Sequence, residues 1–133
     1  MRNYDFSILS PFEFENFVRD ILRRRDGLDY SSFAGGRDGG IDLRASTVKG
    51  EKVIVQAKRY KTWAELKSIL KKEADKVKKL KPNRYVFATS VDLSAGNAQE
   101  IKEMFNPYIK NDNDVLGKQD FNKYLGDYKD IEM

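Results

Sequence analysis

Val53-Ile54-Val55-Gln56-Ala57-Lys58 is β-branched and alternating, the composition and period of a strand. Side chains of an extended chain alternate faces, so Val53, Val55 and Ala57 share one face. Gln56 and Lys58 then stand side by side on the other. A half-buried strand has no packing reason to set an amide beside an ammonium. Upstream, residues 41–47 read as a second strand, joined to the first by the turn around Lys49-Gly50-Glu51. There Ile41 and Leu43 share a face and leave Asp42 on the opposite one.

Outward from these strands, Ser10-Pro11-Phe12-Glu13 is a helix start, with Ser as N-cap, Pro at the first position and Glu as capping-box partner. Phe14, Phe17, Val18, Ile21 and Leu22 form one apolar stripe, and Arg23-Arg24-Arg25 with Gly27 end the helix. Residues 28–34 read as a short strand entering Gly35-Gly36-Arg37-Asp38-Gly39-Gly40, a tight, irregular backbone. Thr62 caps a long second helix, with Trp63, Leu66, Leu70, Ala74, Val77 and Leu80 at helical spacing, which stops before Pro82. Residues 84–90 are a buried strand, and Ser94 opens a third helix interrupted at Pro107. Residues 114–117 form a short edge strand, and 121–125 a last helix closed by Gly126. The order αβββαβ, with a helical tail, predicts a mixed-sheet, three-layer α/β fold in one domain spanning 1–133.

Composition removes whole classes of chemistry. The chain has no cysteine, which excludes disulfides and thiolate catalysis and fits a reducing cytoplasm. It has no histidine, which excludes imidazole-dependent hydrolases. Hydrolysis here would rest on carboxylates, lysine and a hard, oxygen-ligated ion such as Mg²⁺. No apolar run approaches the roughly 20 residues that span a bilayer, and the first residues do not open a secretory signal, so no membrane partner is expected. Charge is uneven. Residues 52–84 carry twelve basic against three acidic side chains, while 111–133 carry three against six. The basic block follows Gln56 and Lys58 directly and predicts a polyanionic partner near them.

The motif Gly35-Gly36-Arg37-Asp38-Gly39-Gly40-Ile41-Asp42, followed by Val55-Gln56-Ala57-Lys58-Arg59-Tyr60, resembles the Mrr-like branch of the PD-(D/E)xK nucleases. The entry helix Leu9-Ser10-Pro11-Phe12-Glu13-Phe14-Glu15 and the stretches 97–101 and 114–122 resemble it too. The resemblance implies a restriction-endonuclease-like core and a metal-dependent endodeoxyribonuclease. It implies Asp42 as the central metal carboxylate, Gln56 in the second acidic position through its carbonyl oxygen, and Lys58 at the attacking water or scissile phosphate. Glu15 would add a carboxylate and the Ala57 backbone carbonyl would complete the shell, around Mg²⁺ with Mn²⁺ as a substitute. The departure is Gln56, where an acid is commoner across the superfamily. A neutral amide ligates Mg²⁺ more weakly.

Arg37, Arg59, Tyr60 and Lys61 lie near the motif and are the candidate contacts to double-stranded DNA. Lys67, Lys71, Lys72, Lys76, Lys78 and Lys79 read equally as a solvated helix face or as further DNA contacts. Asp38 reads as a turn residue more than a ligand, and Asp112-Asn113-Asp114 lacks the glycine of a calcium loop. Two alternatives share the fold: a DNA-binding module with a weakened site, and a branched-DNA resolvase. The resemblance further suggests an N-terminal effector of a longer prokaryotic anti-phage defence protein, fused to a sensor or ATPase region. Double-strand cleavage by one site per chain suggests a homodimer or higher oligomer.

Overall fold

The computed structural model of the chain describes residues 3–32 and 43–131. The glycine-rich stretch 35–40 with Arg37 and Asp38, and Ile41 and Asp42 after it, lie outside the described residues. Helix α1 (Pro11–Asp26) begins where its local chemistry dictates. The Ser10 hydroxyl accepts from the Glu13 N–H at 3.1 Å, and the Glu13 carboxylate accepts from the Ser10 N–H at 2.8 Å. Gly27 ends the helix at φ +70°, a conformation that suits glycine. Then follow β1 (Ser31–Ser32), β2 (Leu43–Ser46), β3 (Lys52–Lys58), α2 (Trp63–Leu80), β4 (Arg84–Thr89), α3 (Ala95–Met104), β5 (Val115–Leu116) and α4 (Lys118–Asp127).

The five strands of the described residues form one mixed sheet in the order β1-β2-β3-β4-β5. Strand β2 pairs antiparallel with both β1 and β3, and β3, β4 and β5 run parallel. Strand alternation sorts the core into two layers. Val53, Val55, Val86 and Ala88 face α1 and α4, where Phe6 stacks on Phe17 at 4.9 Å and meets Phe121 edge-on at 6.1 Å. Ile54, Tyr85 and Phe87 face α2 and α3, with Tyr85 stacked on Phe105 at 4.9 Å. This is the three-layer α/β architecture with a mixed sheet that the element order predicted.

One end of the sheet is tied by buried ions. Asp114, fully buried, accepts from Arg84 Nε at 2.9 Å, Arg84 Nη2 at 2.7 Å and Arg25 Nη2 at 3.2 Å. Asp26 accepts from Arg25 Nε at 2.8 Å and from the Tyr30 hydroxyl at 2.9 Å. Burial works to raise the Asp26 carboxyl, but the hydrogen bond and charge of Arg25, with Arg84 and Tyr30, outweigh it and hold it below the ordinary carboxylate range. Burial and the Asp26 charge push the Tyr30 hydroxyl upward.

Several expected boundaries change. Of residues 28–34, only Ser31 and Ser32 pair within the described part, opposite Arg44 and Leu43. Tyr30 turns inward to Asp26 instead. Strand β3 stops at Lys58 rather than Tyr60, because the Tyr60 N–H donates to the Ser90 hydroxyl. Helix α4 starts at Lys118, three residues earlier than expected, with the Gly117 N–H donating to the Asp120 carboxylate at 2.8 Å. It also runs through Gly126 to Asp127.

Candidate active site

The C-terminal ends of β3 and β4 coincide, with Gln56 opposite Phe87 and Lys58 opposite Thr89. Side chains fasten the backbone there. Thr89 Oγ1 donates to the Lys58 carbonyl at 2.7 Å, and the Ser90 hydroxyl donates to the Tyr60 carbonyl at 2.6 Å while accepting the Tyr60 N–H at 3.0 Å. The segment bearing Lys58, Arg59 and Tyr60 is thereby held on rigid elements, as a functional constellation requires.

Gln56 and Lys58 project toward α2, the face alternation assigns them. Gln56 is only 1% exposed. Its Oε1 accepts from the Tyr85 hydroxyl at 2.9 Å, and its Nε2 finds no hydrogen-bond partner among the described residues. A buried polar group left unpaired costs about 1–3 kcal/mol. Lys58 Nζ lies 3.3 Å from Glu73 Oε1, an ion pair that is largely buried on both sides. Glu73, on α2, is 4% exposed and also meets Lys76 Nζ at 3.6 Å, while its Oε2 finds no partner among the described residues. Arg44 stands opposite Ile54 on β2 and so projects from the same face of the sheet.

The other site residues are spread around this pair. Glu15 sits half-buried on α1, whose layer covers the Val53 and Val55 face, so it lies across the sheet from Gln56 and Lys58. Ala57 packs its side chain into that same α1 layer. Arg59 and Tyr60 are half-buried just past β3, and Lys61 is exposed. Arg37 and Asp42 lie outside the described residues. Leu43, which follows Asp42 in the chain, pairs with Val55, which precedes Gln56. On α2, Lys71, Lys72, Lys78 and Lys79 are exposed, and Lys67 pairs with Glu100 at 3.3 Å. Among the described residues no group of three or more acidic side chains is placed to hold a metal ion.

Sequence reasoning missed Glu73, Tyr85 and Arg44. A signal for Glu73 was present: it sits three residues after Leu70 and four before Val77, inside the apolar stripe of α2. Arg44 lies between Leu43 and Ala45, both core, and alternation alone sets it on the opposite face.

Against known proteins, the chain matches the family model Mrr_cat, restriction endonuclease, over residues 6–110. It is 36% identical over 130 residues to the protein recorded as "Uncharacterized protein y4cD" of Sinorhizobium fredii, a match covering 96% of this chain and 20% of that protein. The chain thus spans about one fifth of the length of this curated relative. No solved structure matches it significantly. Among the described residues, no helix is long and apolar enough to cross a membrane. The family match takes in α1, α2 and α3 and strand β3, which carries Gln56 and Lys58, and it supports a nuclease function and a restriction-endonuclease-like fold. By that match, extending over most of its length, the chain belongs to the Mrr_cat restriction endonuclease family.

Proposed function

We propose that this domain is a divalent-metal-dependent endodeoxyribonuclease that hydrolyses phosphodiester bonds of double-stranded DNA. The observation that carries the reading is the Lys58 ammonium, held beside Gln56 on a fastened strand end, in a chain of a restriction endonuclease family. Hydrolysis builds negative charge on the phosphate oxygens, and a positioned ammonium compensates that charge without reorganising. Lys58 can also hold the attacking water by donating to it. Arg37, Arg59, Tyr60 and Lys61 would neutralise flanking phosphates, the contacts that dominate affinity for DNA.

The donors suit a hard cation, since Asp42, the Gln56 amide oxygen and the Ala57 carbonyl are all oxygen ligands. Mg²⁺ bound there, or Mn²⁺ in its place, would supply a hydroxide at neutral pH and further positive charge. The orphaned Gln56 Nε2 bears on this fit. Turning the amide over would aim Oε1 at the unfilled position while Tyr85, whose hydroxyl both donates and accepts, keeps its bond. Glu15 fits the set least well, because its helix covers the opposite face of the sheet.

Incubating supercoiled plasmid with the protein and Mg²⁺ or Mn²⁺ tests the proposal, with EDTA and Lys58→Ala as controls. We expect nicking that EDTA abolishes and that Lys58→Ala lowers on the order of 10²-fold or more. Wild-type protein that binds DNA and never nicks it under either metal would refute the enzyme. It would favour a DNA-binding module of the same fold, a reading supported by the bond already occupying the Gln56 carbonyl oxygen. Wider expectations go with the proposal: a cytoplasmic role in prokaryotic defence, pairing of two copies for double-strand cuts, and residence in a longer protein with a sensor or ATPase region. The relative five times this length supports the last.

A further inference from the structure

We propose that Glu73 supplies, from α2, the carboxylate that position 56 lacks, so that the divalent ion sits between Gln56 and Glu73 with Lys58 beside it. The inference rests on the nuclease reading and names a ligand that the sequence motif does not contain. Glu73 is more than nine-tenths buried, which is rare for glutamate unless it is paired or ligating. One of its oxygens is accounted for by Lys58 at 3.3 Å and Lys76 at 3.6 Å. The other, Oε2, is buried and has no hydrogen-bond partner among the described residues. A solvated helix face explains neither fact.

Charge bookkeeping on this side of the sheet points the same way. Gln56 is neutral, and Lys58, Lys76 and Arg44 are cations. A divalent ion would find no compensating charge among these four. Glu73 brings that charge to the Lys58 end of the sheet, where the acid of a D…(D/E)xK pattern would stand. Its position also explains how an amide is tolerated at 56. The negative charge has moved from strand to helix, and the Gln56 amide is left to contribute a neutral oxygen.

The test is Mn²⁺ binding to the DNA-free protein by calorimetry, for wild type, Glu73→Gln, Gln56→Glu and the double variant, with plasmid nicking followed in parallel. Circular dichroism confirms that each variant is folded. Glu73→Gln is expected to weaken Mn²⁺ by at least the roughly 10–100-fold seen when a supporting partner of a metal site is lost. Gln56→Glu in the Glu73→Gln background is expected to restore binding, by returning the carboxylate to the strand. If Glu73→Gln binds Mn²⁺ as wild type does while wild type nicks plasmid, this inference falls and the nuclease reading stands. If wild type neither binds Mn²⁺ nor nicks, both fall together. Should Glu73→Gln fail to fold, Gln56→Glu alone decides: a second carboxylate beside Glu73 must tighten Mn²⁺, and unchanged affinity overturns the proposal.

Discussion

Replacing Asp114 with Ala probes how much of the fold depends on one buried carboxylate. Asp114 is fully buried and takes three hydrogen bonds from two guanidinium groups, those of Arg84 and Arg25. Removing one partner of a buried ion pair costs about 3–5 kcal/mol, because the other charge stays in a poorly solvated place. Asp26 still faces Arg25 at 2.8 Å and Arg84 at 3.4 Å, so the lower end of that range applies, about 3 kcal/mol. For a domain of this size each kcal/mol moves the melting temperature by roughly 3–5 °C, giving a loss of about 10–15 °C. The control is Asp130→Ala. Its pair with Arg24 is solvent-exposed on both sides, and such pairs contribute little to stability. Thermal melts followed by circular dichroism read both. The network joins Arg84 at the start of β4, while Lys58 lies opposite Thr89 at its end. Asp114→Ala should therefore leave plasmid nicking well below the melting temperature unchanged. A melting temperature within about 3 °C of wild type would refute the energetic argument.

Gly117→Ala should destabilise by about 1–3 kcal/mol, the range for overpacking, since a Cβ there would come within 2.9 Å of the Val91 carbonyl oxygen and 3.0 Å of Leu93. Chemical denaturation reads this, and an unchanged midpoint would mean that the Val91–Leu93 segment yields freely. Acid should weaken the fold partly through Asp26, whose carboxyl titrates lower in the fold than in the open chain. Its contribution is present above the ordinary carboxylate range near pH 4 and is lost as pH falls through the folded value. Asp26→Asn should lower the melting temperature at neutral pH and show a shallower further loss on acidification, and parallel curves would contradict the assignment.

Boundaries set by local chemistry were legible. The caps at Ser10 and Thr62 are each made by a side chain and a backbone N–H within four residues of one another. The alternation of β3 sorted Val53 and Val55 from Gln56 and Lys58 onto the faces they occupy. The expectations that moved depend on partners far along the chain. The strand over 28–34 shrank in its described part because Tyr30 engages Asp26. In the acidic run 112–114, nothing nearby in sequence shows that Asp114 holds two arginines, 30 and 89 residues away.

The sequence by itself determined the element order, the mixed α/β class and the side of β3 on which an amide and an ammonium meet, because capping and strand alternation act over a few residues. It also excluded histidine and cysteine chemistry outright. Only the tertiary structure decided how that polar pair is completed. Glu73 is fifteen residues beyond Lys58, in a helix whose lysines read equally as solvated surface or as DNA contacts, and it reaches Lys58 because α2 packs back over the parallel β3–β4 pair. Burial then turns a carboxylate among lysines into an ion-paired group with one oxygen unfilled, a state set by the low-dielectric packing of sheet against helix and invisible in any local stretch of the chain.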